Sequence, residues 1–277
     1  MANFDINFIN LDRRDDRLKS LMNDLNRHLD DTVKINRVSG VDAMSNNLLK
    51  SEDLISNAEK ACYSSHIQAI EHSLPSNAHT LIIEDDVSFS TRTQQILSSI
   101  LSSNLIEGVD VFFAELGLEN MTQYPSLYAL KNKLSLQNKI TLIDLDMYRF
   151  HGTTAYIVNK NSKNKLLNLL KGKLSLNQPY DEDLSQWVRE GKIHAKCIVP
   201  FPITLNPLEF SSDIRDDRTH FYTSIRLGIR RMLGADYDHT KPMDEKFSDF
   251  YSANFNLQHD QFLKLINLAY SKEFDDY

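Results

Sequence analysis

Three consecutive acidic residues, Glu84, Asp85 and Asp86, directly follow the apolar segment 81–83. A short, wholly apolar segment is typical of a strand buried on both faces, and ligands of open α/β sheets bind beyond the carboxyl ends of the strands. Glu84 and Asp86 would share a side if the extended conformation continues. Adjacent carboxylates repel one another, and Mg²⁺ or Mn²⁺ bound by their oxygens would relieve that repulsion. The residues alone leave two interpretations open, a metal site and a solvated acidic turn.

Arginines follow the first β-prone segment of the chain, residues 5–11. Arg13 and Arg17 could pair with phosphate oxygens through their planar guanidinium groups. The same pattern fits an exposed first helical turn whose charges pair with one another, and the residues alone favour that simpler interpretation.

Two serines and a histidine are adjacent at Ser64, Ser65 and His66. A serine nucleophile needs a base, an orienting acid and usually a sharp turn between strand and helix. The G-x-S-x-G pattern of such turns does not occur in the sequence. The segment therefore predicts polar helix residues that face a ligand rather than a hydrolase triad.

Titratable groups also occur beside two later elements. His151 precedes the β-prone segment 153–158, and Asp181, Glu182 and Asp183 lie at the start of a predicted helix. These carboxylates could act as bases, although the helix dipole alone also favours acids at a helix N-terminus. A single histidine is more often structural than catalytic.

The elements that must position these groups alternate between strand and helix. Apolar and β-prone segments predict strands at residues 5–11, 34–38, 80–83, 109–113, 139–145, 153–158 and 194–199. Apolar residues at helical spacing predict helices at residues 18–25, 57–73, 91–103, 161–170 and 183–189. This alternation predicts an α/β fold with a mostly parallel central sheet.

The composition excludes several classes of protein. With 277 residues, 41% of them hydrophobic and 25% charged, the chain has the length and balance of a globular protein. The net charge of −7 argues against binding to nucleic acid, which favours a basic surface. Glycine is scarce and neither a GxGxxG nor a Walker motif occurs, so a bound nucleotide would be held without a glycine-rich loop.

Targeting and redox signals are weak. The sequence contains no apolar run of the ~18–20 residues that a membrane span needs. The first residues lack the basic and apolar segments of a signal peptide, so we expect a cytoplasmic protein. Cys62 and Cys197 match no zinc or redox spacing, and we expect two free, structurally buried thiols.

The character of the chain changes after Pro207. Residues 221–234 form a basic amphipathic segment with Arg226, Arg230 and Arg231, and residues 243–277 have a helical pattern. We therefore expect a main domain at residues 1–215 and a helical extension at residues 216–277. The basic segment could dock on anionic lipid or pack its apolar side on the main domain, and the second alternative is slightly favoured.

Taken in order, these segments resemble glycosyltransferase family 25, the lipooligosaccharide galactosyltransferases, which are related to the collagen galactosyltransferases. The residues that carry the resemblance lie at 8–14 with Arg17, and at 38–42, 62–66, 81–87, 151–156 and 179–181. The chain departs from the family pattern at Ala61, where the family often has glycine, and at the paired Ser64 and Ser65, where it often has one serine.

The resemblance implies a GT-A-like, Rossmann-type fold that binds a nucleotide sugar. It also implies a UDP-sugar donor, a divalent metal held by the acidic motif, and inversion at the anomeric carbon. UDP-galactose is the commonest donor in the family and UDP-glucose is the next. The acceptor is usually a sugar of the growing core of a bacterial lipooligosaccharide or lipopolysaccharide.

On this basis each candidate residue has an expected role. We expect Asp86 as the first ligand of Mn²⁺ or Mg²⁺ and Glu84 as the second, with Asp85 contacting ribose or a metal-bound water. The other residues expected at the donor nucleotide are Asn10, Leu11, Arg13, Arg17, Ser39, Gly40, Asp42, Ser65 and His66. The residues expected at the acceptor are Thr153, Thr154 and Tyr180.

Inverting transfer needs a base that takes the proton of the acceptor hydroxyl, and a carboxylate is the usual choice. Asp181 is the first candidate, with Asp183 and Glu182 as alternatives. His151 could be a base, a metal ligand or a sugar ligand, and we favour substrate binding. A lipid-linked acceptor would give the basic C-terminal segment a reason to contact the inner face of the inner membrane.

Three other functions stay open at this point. A glucosyltransferase would use UDP-glucose at the same site. A metal-dependent nucleotidyltransferase or phosphohydrolase would use the same acidic turn but release pyrophosphate or phosphate instead of UDP. A non-catalytic sugar-binding module would turn over no UDP-sugar, and the intact Glu-Asp-Asp sequence argues against it.

Overall fold

The computed structural model describes residues 4–44, 53–206 and 228–237. The strands are β1 (Phe4–Asn10), β2 (Lys34–Ser39), β3 (His79–Glu84), β4 (Val87–Phe89), β5 (Val111–Leu118), β6 (Thr141–Asp144), β7 (Phe150–Val158), β8 (Ala195–Val199) and β9 (Ile203–Leu205). The helices are α1 (Asp15–His28), α2 (Asn57–Ser73), α3 (Thr93–Leu101), α4 (Tyr124–Leu136), α5 (Lys163–Lys171) and α6 (Tyr180–Arg189).

Seven of these strands form one sheet in the order β2-β1-β3-β7-β5-β8-β6. β1 pairs in parallel with β2 and β3, and β5 pairs in parallel with β8. β7 lies antiparallel between β3 and β5, and β6 lies antiparallel on β8. All strands except β6 and β7 therefore run in one direction, which confirms a mostly parallel α/β sheet and is consistent with a Rossmann-like GT-A fold. β4 and β9 form a separate antiparallel pair.

Hydrophobic residues cover both faces of the large sheet. On one face, Ile6 and Phe8 of β1 belong to a core with Leu21 and Leu25 of α1 and Ile96 of α3. Side chains alternate along a strand, so Ile9 of β1 points to the other face, where α2, α5 and α6 supply a second core. The strand β3 is buried from residue 79 to residue 83, so polar side chains begin only where the strand ends.

Helix α2 begins at a defined local signal. Ser56 and Glu59 form a capping box, in which each side chain accepts a hydrogen bond from the backbone N–H of the other residue. The helix then buries the side chains of Tyr63, Ser65 and His66. The capping box therefore sets the register in which these polar side chains enter the interior.

Several elements differ from the sequence prediction. The sequence prediction does not include α4, whose buried face carries a lysine, Lys131, beside Tyr124 and Tyr128. β5 continues from the predicted end at residue 113 to Leu118, through Glu115, whose charge interrupts the apolar pattern. α6 begins at Tyr180 rather than at residue 183, and β4 and β9 have only three residues each, too few to show a period.

Residues 228–237 pack against the sheet domain. The Phe201 N–H donates to Leu233 O and the Ala235 N–H donates to Phe201 O, both at 2.8 Å. Ile229, Met232 and Leu233 are buried in the core. The predicted boundary at residue 215 and the predicted helical segment 243–277 lie outside the described residues. None of the helices within the described ranges is long and apolar enough to cross a bilayer.

Candidate functional site

Several candidate residues meet at one edge of the seven-stranded sheet. β1, β2 and β3 end at this edge, where Asn10 is paired with Ser39 and Ile9 is paired with Glu84. β7 runs the opposite way, so its first residues, 151–153, lie at the same edge. Because ligands of open α/β sheets bind beyond the carboxyl ends of the parallel strands, this edge is the candidate site.

Asp85 anchors the acidic turn to the first helix. Asn10 Nδ2 donates to Asp85 Oδ2 at 2.8 Å, and Arg17 Nη1 donates to Asp85 Oδ1 at 2.9 Å. Glu84 ends β3 and residues 85 and 86 form a turn, so the extended conformation does not continue to Asp86. Both Arg17 and Asp85 are buried. Asp85 and Arg17 therefore position the turn.

The environment of Asp86 differs from that of Asp85. Its Oδ1 is buried and makes no hydrogen bond within the part of the chain that the structure describes. Its Oδ2 lies 3.9 Å from Arg17 Nη1. Burial, and then the charge of Glu84, raise the pKa of Asp86 to about 7 despite the opposing charge of Arg17. Since a buried polar atom without a partner costs about 1–3 kcal/mol, Oδ1 favours a bound cation or proton donor.

His66 links α2 to Glu84 and to β7. Its Nε2 lies 3.5 Å from Glu84 Oε1 and 3.3 Å from Thr153 Oγ1, and its Nδ1 lies 3.1 Å from the Tyr156 hydroxyl. The imidazole stacks on the ring of Tyr180 with centroids 4.5 Å apart. Burial alone would raise the pKa of Glu84, but the hydrogen bond to His66 and nearby cationic side chains outweigh it and lower the pKa. Glu84 is therefore held as a carboxylate at the sheet edge.

Cys62 lies one helical turn before His66 and forms a cluster with His66 and Glu84. One potential ligand atom from each of the three residues lies within 4.8 Å of the other two, and the described ranges contain no other cluster of three such groups. Burial raises the pKa of the Cys62 thiol, and the charges of Glu84, Asp181 and Asp86 raise it further. Cys62 and Cys197 are both free, as predicted, but only Cys197 is fully buried.

Asp181 lies at the start of α6 and contacts β7. Its Oδ2 accepts a hydrogen bond from the Gly152 N–H at 2.7 Å, and its Oδ1 accepts one from the Glu182 N–H at 3.0 Å. Asp181 is half-buried and Glu182 is exposed. The contact with Gly152 places the Asp181 carboxylate at the same edge as the acidic turn.

Asp183 has a different environment from Asp181. It is 2% exposed and accepts hydrogen bonds from the Tyr63 hydroxyl at 2.8 Å and from Gln178 Nε2 at 2.6 Å. Lys173 forms an ion pair with the same carboxylate. These contacts tie α6 to α2, so the structure gives Asp183 a packing role rather than that of a base.

Arg230 lies inside the protein. Its guanidinium forms a two-point ion pair with Glu115 of β5, and the two side chains are 3% and 1% exposed. The expectation that Arg230 contacts anionic lipid is therefore wrong, because a guanidinium committed to a buried carboxylate does not reach a headgroup. Arg231 is half-buried, and Arg226 lies outside the described residues.

Two glycines fit the backbone closely around the start of β7. Gly152 has a φ of +90°, and a Cβ there would lie 2.6 Å from Arg230 Nη2. A Cβ at Gly117 would lie 2.2 Å from the His151 ring, which packs over this glycine where β5 pairs with β7. The positions of His151 and of the Gly152 N–H therefore depend on the absence of these two side chains.

The residues expected at the acceptor are largely inside the protein. Thr153, Thr154 and Tyr180 are exposed by 6% or less. Thr153 contacts His66 and Tyr180 stacks on it, so these two side chains support the site from within. Of the predicted substrate contacts on β7, His151 is the more accessible, since it is half-buried.

Part of the predicted nucleotide site is exposed beside β1 and β2. Arg13 Nε donates to Asp42 Oδ2 at 3.0 Å in an exposed ion pair. The Ser39 hydroxyl donates to Asp12 Oδ2 at 2.9 Å. These polar groups are on the surface and accessible to a nucleotide.

The backbone after β2 is held against β1 and α2. The Gly40 N–H donates to Asn10 O at 2.9 Å, and the Val41 N–H donates to the Ser65 hydroxyl at 2.8 Å. Leu11 is half-buried, and a Cβ on Gly40 would lie 3.2 Å from its side chain. Asn10, Gly40 and Ser65 therefore shape this part of the edge, and Ser65 acts through its hydroxyl from inside α2.

Sequence reasoning missed Glu115, Tyr156 and the clustering of Cys62 with His66 and Glu84. Glu115 carries a signal in retrospect, since it is a lone charge within the otherwise apolar and buried strand β5. Cys62 and Tyr156 lie in segments that carry the family resemblance, but no local pattern shows that they meet His66, because their partners come from other elements or other turns of the chain.

The model of one protein family matches residues 4–182 and is described as glycosyltransferase family 25 (LPS biosynthesis protein). Comparison with curated proteins gives no match to this chain. The family match extends from β1 to the start of α6, and so includes the acidic turn, Gly152 and Asp181. Because it covers more than half of the chain and the fold agrees with it, the protein belongs to glycosyltransferase family 25 and is a glycosyltransferase of lipopolysaccharide biosynthesis.

Proposed function

We propose that this glycosyltransferase moves galactose from UDP-galactose, with inversion, onto a sugar of a lipid-linked lipooligosaccharide or lipopolysaccharide core. The observation that carries the proposal is the acidic turn after β3, in which Asp85 is fixed by Asn10 and Arg17 while Asp86 keeps a buried oxygen without a described partner. The choice of galactose rests on the family resemblance, in which UDP-galactose is the commonest donor.

The acidic turn fits a divalent cation. Asp86 and Glu84 would hold Mn²⁺ or Mg²⁺, which prefer carboxylate oxygens, and Oδ1 of Asp86 supplies a ligand atom. When bound, the cation would stabilise the negative charge that develops on the UDP leaving group. Arg17 lies close to Asp86 and anchors Asp85, so it holds the turn in the conformation that presents Asp86.

Asp181 is the proposed base for the acceptor hydroxyl. The N–H groups of Gly152 and Glu182 each occupy one lone pair of its carboxylate oxygens, and a carboxylate has about four such sites. The remaining lone pairs can accept the acceptor proton, an effect worth ~10²–10⁴-fold in rate. Glu182 is exposed beside it and is the alternative base.

The nucleoside of the donor would lie beside the segment that follows β2. Arg13 and Asp42 form an exposed pair there, and Ser39 is also exposed. Asn10, Gly40 and Ser65 hold the backbone of this segment in place. His151, half-buried over Gly117, would contact the transferred or the accepting sugar.

The donor is tested by UDP release from the full chain. UDP-galactose, UDP-glucose and UDP-N-acetylglucosamine are compared with and without Mn²⁺, in the presence of a truncated lipooligosaccharide acceptor. We expect the fastest release with UDP-galactose and Mn²⁺. Faster release of UDP from UDP-glucose would identify glucose, and not galactose, as the transferred sugar. Release of pyrophosphate or phosphate in place of UDP would indicate nucleotidyl transfer or phosphohydrolysis. No turnover of any donor would favour the sugar-binding module.

Two variants separate the proposed roles of metal ligand and base. Asp86→Ala and Asp181→Ala should both abolish transfer, but only Asp86→Ala should abolish metal-dependent UDP binding, measured by calorimetry. Asp31→Ala is the matched control, because Asp31 is exposed and precedes β2 at the opposite edge of the sheet. Metal-dependent UDP binding by Asp86→Ala would refute the metal assignment.

A lipid-linked acceptor would bring the enzyme to the inner face of the inner membrane. With Arg230 buried and Arg231 half-buried, the proposal depends on Arg226 and Arg231 of the basic segment. When the proteins are sedimented with anionic liposomes, we expect a larger fraction of wild type than of Arg226→Glu in the pellet. Equal fractions of the two proteins in the pellet would refute the proposed membrane contact.

A further inference from the structure

We propose that Cys62, His66 and Glu84 form a site for a soft divalent cation such as Zn²⁺, distinct in chemistry from the Mn²⁺ or Mg²⁺ site proposed above. Cys62 and His66 are four residues apart on α2 and therefore lie on one side of the helix. Glu84 ends β3 beside them, and one ligand atom from each of the three residues lies within 4.8 Å of the other two. The tertiary structure thus completes a ligand set from two elements.

The donor atoms suit zinc better than a hard cation. Thiolate and imidazole are preferred by Zn²⁺, whereas Mg²⁺ and Mn²⁺ prefer oxygen. Zinc bonds of about 2.0–2.3 Å place tetrahedral ligand atoms roughly 3.3–3.8 Å apart. The ligand atoms of Cys62, His66 and Glu84, within 4.8 Å of one another, would therefore need to approach by at most about 1.5 Å, within the reach of side-chain rotations.

The surroundings of the cluster orient the imidazole of His66. The Tyr156 hydroxyl lies 3.1 Å from His66 Nδ1. The other ring nitrogen, Nε2, faces Glu84 at 3.5 Å from its Oε1. A hydrogen bond at the second ring nitrogen is the usual support of a metal-binding histidine. Glu84, Asp181 and Asp86 act electrostatically on Cys62, and the opposite charges of Arg17 and Arg230 act on Glu84.

Zinc binding would have a defined chemical result. The Cys62 thiol would lose its proton to solvent as the sulfur–zinc bond forms, since a coordinating thiol is deprotonated. Three protein ligands would leave a fourth position open to water. Because Glu84 belongs to both ligand sets, bound zinc would also compete with Mn²⁺ or Mg²⁺ and inhibit transfer. This inhibition rests on the proposed function, whereas the binding of zinc does not.

Thiol protection tests the site in the metal-free full chain without any sugar nucleotide. Alkylation of Cys62 is followed by mass spectrometry with Zn²⁺ or Mg²⁺ present. At zinc about ten times its Kd, we expect roughly tenfold slower alkylation of Cys62, because protection follows occupancy. Mg²⁺ should give no protection. An unchanged alkylation rate with Zn²⁺ would overturn the proposal, and the donor screen would be unaffected by that result.

Cobalt substitution gives a second readout that does not depend on activity. Co²⁺ bound by Cys62 should show a thiolate-to-cobalt charge-transfer band in the ultraviolet, and Cys62→Ala should lose it. Cys197→Ala is the matched control and should keep the band, because Cys197 is the other free cysteine and lies outside the cluster. Loss of the band in Cys197→Ala, or its persistence in Cys62→Ala, would contradict the assignment of the thiol ligand.

Discussion

Replacing Arg230 by methionine would leave the Glu115 carboxylate buried without its partner. The two side chains are 3% and 1% exposed, and Arg230 donates from Nε and Nη2 to the two carboxylate oxygens of Glu115. Removing one member of a buried ion pair costs about 3–5 kcal/mol, so we expect Arg230→Met to lower the free energy of unfolding by this amount. Methionine retains much of the apolar stem of arginine, which limits the loss of packing.

The double variant Arg230→Met/Glu115→Leu identifies the origin of the loss. Replacing both members of a buried pair by apolar residues is often neutral, so we expect the double variant to recover to within about 1 kcal/mol of wild type. Urea unfolding followed by circular dichroism measures both changes. With an m value of ~2–3 kcal/mol/M, the midpoint of the single variant should lie about 1–2.5 M lower in urea. A double variant as unstable as Arg230→Met would refute the view that an uncompensated buried charge causes the loss.

Three further predictions concern the glycine at the start of β7, the base and a buried histidine. A Cβ at Gly152 would lie 2.6 Å from Arg230 Nη2, so Gly152→Ala should lower the free energy of unfolding, measured in urea. Gly191→Ala is the control, because Gly191 also has a positive φ (+68°) but no atom within 4 Å of its Cβ position, and its loss should be smaller. Equal losses in the two variants would contradict a clash with Arg230. Asp181→Asn should slow UDP release ~10²–10⁴-fold with unchanged UDP affinity, and an equal loss of affinity would argue against a base. Burial and nearby lysine charges lower the pKa of His79 from 6.5 to about 4, so the unfolded chain binds the extra proton between these values. The free energy of unfolding should therefore fall by about 1.4 kcal/mol for each pH unit below pH 6.5. His79→Gln should flatten this pH dependence, and an unchanged pH dependence in this variant would contradict the assignment to His79.

Much of the fold could be predicted from local patterns. The apolar segment 81–83 predicted β3, and the spacing of apolar residues predicted α2, because strand and helix periods are properties of neighbouring residues. The position of the acidic turn at the end of a buried strand followed from the same pattern. α4 was not predicted, because a charged residue, Lys131, interrupts its buried face. The pair β4 and β9 could not be predicted, because each strand is too short to show a period.

The candidate site was predicted as a set of segments but not as a set of contacts. Glu84, Asp86, Asp181 and the residues after β1 and β2 were identified from motifs and from the family resemblance. The roles within the set were less accurate, because Asp183 and Arg230 proved to be buried packing residues. Arg230 pairs with Glu115 of β5, and Asp183 accepts a hydrogen bond from Tyr63 of α2, and no local pattern reveals these distant partners.

The sequence by itself determined which residue types stand at the carboxyl end of each strand, and with them the family and the class of reaction. Only the tertiary structure showed how two adjacent aspartates differ in their contacts. Asp85 accepts hydrogen bonds from Asn10 and Arg17, which lie 75 and 68 residues earlier in the chain. Asp86 has a buried oxygen that accepts no hydrogen bond from the described residues. The reason is physical: hydrogen bonding and desolvation depend on the atoms that the fold brings within about 3 Å, and the order of residues along the chain does not specify them.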